Sequence, residues 1–281
     1  MNVTQKEMDE INRVQLNMFK EFINVCEQLN LRYFAIHGTL LGALKYKGFF
    51  PYDDDIDVAM PRKDYEIFIS QGQKLLSKNL FIQCNKTESD YPLVFAKLRD
   101  SDTAFIQPNL NNFDINKGIY IDIFPIDNFP NNKKQQKLIK MKKIIYMLRV
   151  SSRFCNTQRT LKQKIALFIS RMVCHNWNLA MEKLEKIYTN VEENENCIVY
   201  GGKNKEIEIP YNLFSNGEEL EFEKIKIKVP SKYKEYLKII YEDYDNYFPA
   251  KEYMVSDDLV EISAEIVDTN KSYKNYIKIK N

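Results

Sequence analysis

Asp55 and Asp57 stand one residue apart in the run Asp53-Asp54-Asp55-Ile56-Asp57-Val58-Ala59-Met60. Ile56, Val58 and Met60 alternate with Asp55, Asp57 and Ala59, the period-2 pattern of a strand. The two carboxylates therefore share one face, and the apolar residues share the other. Aspartate is depleted in strands, and converging carboxylates repel unless a cation lies between them. Hard oxygen ligands favour magnesium or manganese. Asp53 and Asp54 lie nearer the Pro51-Tyr52 turn, where acidic residues are ordinarily solvated.

Three further groups of residues could complete a site that moves a phosphoryl-type group. Gly38 and Thr39 follow a buried apolar run, 31–36, and precede the helical pattern of Leu40, Leu41, Ala43 and Leu44. Glycine at a strand-to-helix turn lets an anion approach free N–H groups at a helix start. Thr39 either adds a hydroxyl to that cradle or caps the helix. Asp122 is the lone acid in the apolar run Ile119-Tyr120-Ile121-Asp122-Ile123-Phe124. A buried carboxylate is costly unless paired, hydrogen-bonded or metal-bound. It either bonds neighbouring backbone N–H groups or joins Asp55 and Asp57 from an adjacent strand. Asp127, beyond Pro125, is expected in a turn. Lys97 and Arg99 share a strand face with Phe95, and either neutralise phosphate or form a solvated face.

The blocks 37–44, 47–60 and 62–68 resemble the LicD family. Ile121-Asp122-Ile123-Phe124-Pro125-Ile126-Asp127 is similar to its second block, and 222–237 with Tyr241-Glu242-Asp243-Tyr244 to its C-terminal block. The resemblance covers roughly residues 30 to 250. It implies an α+β, nucleotidyltransferase-like fold of the DNA polymerase β type, a mixed sheet flanked by helices with a helical insertion. It also implies transfer of a phospho-alcohol, phosphocholine first, from a CDP-linked donor to a hydroxyl of a cell-surface glycan (lipopolysaccharide or teichoic acid) or its lipid-linked precursor, with release of CMP. By position, Gly38 and Thr39 correspond to the phosphate-cradling turn, Asp55 and Asp57 to the metal pair, and Asp122 to the third carboxylate. Lys45 stands where the family often has Arg, and Tyr52 where it often has Trp. A nucleotidyltransferase releasing pyrophosphate and a non-catalytic module binding anionic surfaces are the alternatives.

Bulk properties agree with an enzyme of the cytoplasm, at most peripheral to the inner face of the membrane. The 281 residues are 44% hydrophobic and 28% charged, as in globular proteins. A net charge of +2 is too small to argue for nucleic acid. Cys26, Cys84, Cys155, Cys174 and Cys197 show no metal-knuckle spacing and no disulfide framework. Residues 1–7 lack a signal-peptide core, and no apolar run reaches the ~18 residues of a membrane span. His37 and His175 are the only histidines. Neither lies in a nucleophile motif; His37 abuts the Gly-Thr turn and either contacts the donor or, as expected first, is a buried, satisfied imidazole. Tyrosine and phenylalanine abound. A choline-bearing donor calls for an aromatic box, which the sequence does not identify.

The elements that must position these groups follow from periodicity. Met8, Ile11, Met18, Phe22, Val25 and Leu29 mark an amphipathic first helix. The acidic strand leads into a helix starting at Pro61. Short strands are predicted near 81–84, 93–98, 103–107 and 118–124, helices over 131–190, a mixed stretch with a Gly201-Gly202 turn over 198–209, a hairpin over 219–229 and a helix from Ser231. The organisation expected is a catalytic core over 1–130, a basic helical segment over 131–195 and a C-terminal region over 196–281. Between Asp127 and Glu182 there is no acid, and Lys133, Lys134, Lys137, Lys140, Lys142, Lys143, Arg149, Arg153, Arg159, Lys162, Lys164 and Arg171 accumulate. Leu161, Ile165, Phe168 and Met172 form an apolar stripe there. It either packs on the core or meets an anionic membrane or partner.

Overall fold

A capping box starts the first long element. In the computed structural model, a short strand β1 (Asn2–Thr4) leads into helix α1 (Gln5–Gln28), where the Thr4 side chain accepts from Glu7 N and Glu7 accepts from Thr4 N. This satisfies two N–H groups that a helix start leaves without partners. Met8, Ile11, Met18, Phe22 and Val25 are buried along one face, as their spacing predicts. The structure describes residues 1–151, 160–189, 191, 195–201, 205–247, 254–256 and 259–277. Arg153, Cys155, Arg159, Gly202 and Pro249 lie outside the described residues.

The next elements are β2 (Phe34–Ala35), α2 (His37–Tyr46), β3 (Asp57–Pro61), α3 (Arg62–Gln71), β4 (Leu80–Gln83), β5 (Ala96–Asp100), β6 (Ala104–Ile106) and β7 (Ile119–Asn128). Three helices follow: α4 (Lys133–Ser151), α5 (Leu161–Val173) and α6 (Trp177–Glu185). The chain then forms β8 (Asn196–Gly201) and β9 (Lys205–Pro210), the hairpin β10 (Glu218–Phe222) and β11 (Ile225–Val229), and α7 (Tyr233–Tyr241). Short strands β12 (Met254–Ser256), β13 (Leu259–Glu261) and β14 (Ile266–Asp268) follow, then a single 3-10 turn at Tyr273–Asn275.

The central sheet is mixed and runs β2-β3-β7-β5-β4, with β8 and β9 joined to the far end of β7. β3 and β7 are parallel, and the other pairs are antiparallel. α1, α2 and α3 pack against it, so this is a mixed α+β sheet flanked by helices, as expected. One core joins residues from Val3 to Ala264, and a smaller cluster of Val150, Cys174, Trp177, Ala180, Met181 and Leu184 holds the helical segment.

Several boundaries differ from the sequence expectation. β2 is shorter than 31–36, because β3 offers it only Val58 and Ala59 as partners. Pro61 ends β3 and α3 starts at Arg62. The pairing of Pro61 with Ile126 keeps its backbone extended, with ψ at 140°. β7 runs through Pro125 to Asn128, so Asp127 is in a strand and not in a turn. Proline is tolerated there because it lies between the stretch paired with β5, which stops at Ile123, and the stretch paired with β8, which starts at Asp127. Asp127 is buried and receives Arg62 Nε and Nη2, each at 2.6 Å. The stripe of α5 faces solvent instead of packing on the core.

Candidate active site

Parallel pairing of β3 with β7 sets Asp57 opposite Asp122. Antiparallel pairing of β7 with β5 sets Asp122 opposite Lys97. Side chains at paired positions point to the same face of a sheet, so three charges from distant parts of the chain meet on one side. Asp55 arrives from the segment just before β3. One carboxylate oxygen from each of Asp55, Asp57 and Asp122 lies within 4.8 Å of the others. Local bonds fix their backbones: Asp122 N donates to Ile56 O at 2.8 Å, Ile36 N to Asp57 O at 3.0 Å, and Asp57 N to Thr39 Oγ1 at 2.8 Å.

The electrostatics of this cluster call for a cation. Burial, and then the charges of Asp57 and Asp53, hold the Asp55 carboxyl well above its ordinary value. Burial and then Asp122 do the same to Asp57. Asp122 is raised by burial against the opposing charge of Lys97. Lys97 Nζ donates to Asp122 Oδ1 at 2.5 Å and lies 3.4 Å from the centre of the Tyr120 ring. One ammonium thus faces three carboxylates. The all-oxygen donor set and the uncompensated negative charge fit a hard divalent cation such as magnesium or manganese.

The other predicted residues take different places. Thr39 is buried and does not cap α2; its hydroxyl oxygen is the acceptor that anchors the start of β3. The anion that approaches Gly38 belongs to the chain itself, since a Cβ on Gly38 would stand 2.0 Å from Asp53 Oδ2. Burial, with Asp54 adding to it, pushes the Asp53 carboxyl up to about 7. Arg99 is neither solvated nor turned to the carboxylates. Its Nε donates to Gln83 Oε1 at 2.8 Å and its Nη1 to Gly118 O at 2.6 Å, with the guanidinium 4.6 Å from the Tyr120 ring centre. Lys45 also departs from the expectation of a phosphate contact. Its ammonium donates to Asp245 O at 2.9 Å and Tyr247 O at 3.0 Å, because the last turn of α2 faces that loop. Asp54 is a tie, accepting from Ser263 N and Oγ at 2.8 Å each.

His37 is buried as expected but is not fully satisfied. It begins α2 with φ at 48°, a left-handed conformation that favours glycine or asparagine. Nδ1 lies 3.3 Å from the Tyr236 hydroxyl, while Nε2 is buried without a hydrogen bond among the described residues. Burial pushes its pKa down to about 4, against a smaller pull from the Tyr200 backbone. Tyr241 also belongs near the site. Burial first, then the charges of Asp53, Asp57 and Asp55, push its phenol up, and its ring centre lies 4.6 Å from that of Tyr247. No local pattern of residues marks Tyr236 or Tyr241, and both are flagged only by lying in the C-terminal block of the resemblance.

Residues 30–148 match the family model described as LicD/FKTN/FKRP, nucleotidyltransferase domain. Of the three blocks that carry the LicD resemblance, those at 37–68 and 121–127 fall inside that span and the C-terminal block at 222–244 lies outside it. The lipopolysaccharide cholinephosphotransferase LicD of Haemophilus influenzae is 28% identical over 239 residues, which cover 82% of this chain and 88% of that protein. An uncharacterized protein of Rickettsia typhi is 28% identical over 91 residues, 30% of this chain and 29% of its own length. One of Rickettsia prowazekii is 26% identical over 123 residues, 41% of this chain and 40% of its own.

Proposed function

We propose, from the LicD/FKTN/FKRP character of residues 30–148, that this chain is a metal-dependent transferase on a nucleotidyltransferase-like sheet. It moves a phospho-alcohol group, phosphocholine first, from a CDP-linked donor to a hydroxyl of a cell-surface glycan or its lipid-linked precursor, and releases CMP. It acts in the cytoplasm, at the face of the membrane where such precursors are built. The observation that carries this reading is the convergence of Asp55, Asp57 and Asp122. The name of the Haemophilus relative supports phosphocholine as the group and lipopolysaccharide as the kind of acceptor.

Asp55, Asp57 and Asp122 would hold magnesium or manganese, which neutralises phosphate charge when bound. The acceptor oxygen attacks the distal phosphorus in line, and the bond from that phosphorus to CMP breaks. Asp122 has one oxygen held by Lys97. Its other oxygen is the candidate to take the acceptor proton, and burial makes that carboxylate more basic. With Asp53 against Gly38 and the Thr39 hydroxyl anchoring β3, the donor phosphates would meet the start of α2 through its backbone N–H groups rather than through these side chains. Tyr241 and Tyr247 offer aromatic faces to a quaternary ammonium.

The test is a panel of CDP-linked donors with magnesium or manganese, followed for CMP with and without candidate glycans. CDP-choline should release CMP, chelation should stop it, and Asp57→Asn should lower the rate at least about 100-fold. Asp57→Asn should also raise the melting temperature of the metal-free protein by roughly 2–4 °C for each kcal/mol of repulsion relieved. Full activity in Asp57→Asn would sink the metal site, and pyrophosphate in place of CMP would shift the reading to nucleotidyl transfer.

A further inference from the structure

Helix α5 carries its apolar residues on the wrong side for a core. Leu161, Ile165, Phe168 and Met172 recur at fours and threes, and their exposures are 73%, 52%, 64% and 74%. At ~100° per residue they form one stripe, and the exposed Ile169 and Val173 widen it. Leu167 and Ser170 on the opposite side are the buried ones. The neighbouring α4, packed against α5, exposes Met141 and Ile144 as well.

Charge borders this stripe on both edges. Lys164 and Arg171 flank one side and Lys162 the other, all exposed. Every charged residue between Asp127 and Glu182 is Lys or Arg. A second copy of the chain would bring the same positive surface against itself. Nucleic acid would use the cations but gain nothing from leucine, isoleucine and methionine. An anionic bilayer meets both demands, with lipid phosphates for the basic edges and acyl chains for the stripe.

The length of α5 agrees with a helix lying in the interface. Its 13 residues span about 20 Å, short of the ~30 Å hydrocarbon core. Among the described residues no helix is long and apolar enough to cross a membrane. We propose that α5 is a docking helix, whose Leu161, Ile165, Phe168 and Met172 enter the surface of an anionic phospholipid bilayer while Lys162, Lys164 and Arg171 bind its phosphates. Docking would hold the carboxylate site near a lipid-linked acceptor. The docking itself does not rest on the transferase reading, because binding is measured without turnover.

Flotation of the full chain with vesicles tests this. Vesicles of phosphatidylcholine containing phosphatidylglycerol should retain the protein at low salt and release most of it at high salt, and pure phosphatidylcholine should retain little. Phe168→Glu with Met172→Glu should weaken retention about tenfold or more. Lys164→Gln with Arg171→Gln should weaken it about 30-fold and narrow the preference for anionic lipid to what Lys162 still supplies. These side chains are exposed, so the melting temperature should stay within a few degrees. If Phe168→Glu with Met172→Glu did unfold the chain, the Lys164→Gln, Arg171→Gln pair decides. Absence of wild-type flotation at low salt overturns the proposal. So does undiminished flotation of the charge variant, or a dimer that the Phe168→Glu variant splits while no vesicle binding is seen.

Discussion

Lys97 and Asp122 sit where burial disfavours both charges, and each is kept by the other. Among the described residues this ion pair leaves Asp55 and Asp57 without a cation of their own, which is the physical case for a metal at this position. Alternation along 55–60 made the shared face of the two aspartates legible. Nothing local told that Lys97 would be given to Asp122 or Arg99 to Gln83 and Gly118, because these partners come from other strands. His37 is a second residue whose state depends on surroundings. Its pKa is pushed down to about 4, against ~6.5 when unfolded. As pH falls below ~6.5 the unfolded chain takes up a proton that folded His37 refuses. The stability it contributes is complete above that pH and lost towards pH 4, in total ~3 kcal/mol. Urea unfolding of wild type and His37→Asn across that range should show the difference, asparagine being chosen because it tolerates the positive φ. A wild-type-minus-variant difference that stays flat across the range would mean the imidazole is not held neutral.

At the scale of elements, β3 and β7 are the frame of the site, and their far ends are locked by Arg62 and Asp127. Both side chains are largely buried, at 14% and 5% exposure, and the contact is bidentate. Asp127→Ala removes the bidentate partner of a largely buried guanidinium and leaves it only the 3.3 Å contact with the half-exposed Glu66, and should cost ~2–4 kcal/mol in urea unfolding. Arg62→Met with Asp127→Leu should recover most of that, since removing both charges leaves neither one buried alone. A loss below ~1 kcal/mol in Asp127→Ala would show the pair to be solvated. The element pattern itself was largely readable. α1 and α5 follow their periodicities and the 219–229 hairpin forms as expected, whereas α4 forms without a one-sided apolar period. The misread end of β7 has a specific cause: proline suggests a break, but here it falls where β5 has already left the strand and β8 has not yet joined.

Across the whole molecule, the last described segment returns to the beginning of the chain. β13 pairs with β1, Val260, Ile262 and Ala264 join the main core, and Ser263 holds Asp54 in the acidic loop. Ile262→Ala should therefore cost about 2–5 kcal/mol, a core value, measured by thermal or urea unfolding. A cost near zero would detach this segment from the core. The sequence by itself determined what depends on near neighbours along the chain: the periods of α1 and α5, the common face of Asp55 and Asp57, and the one-sided charge of 128–181. Only the tertiary structure decided which groups meet. It set Asp122 beside Asp57 and Lys97 through strand register, laid Asp53 against Gly38, turned Lys45 to the 245–247 loop, and left the α5 stripe in solvent. The reason is physical: the side of a strand or helix on which a residue stands follows from its own backbone, whereas its partner follows from how distant backbones pack and pair.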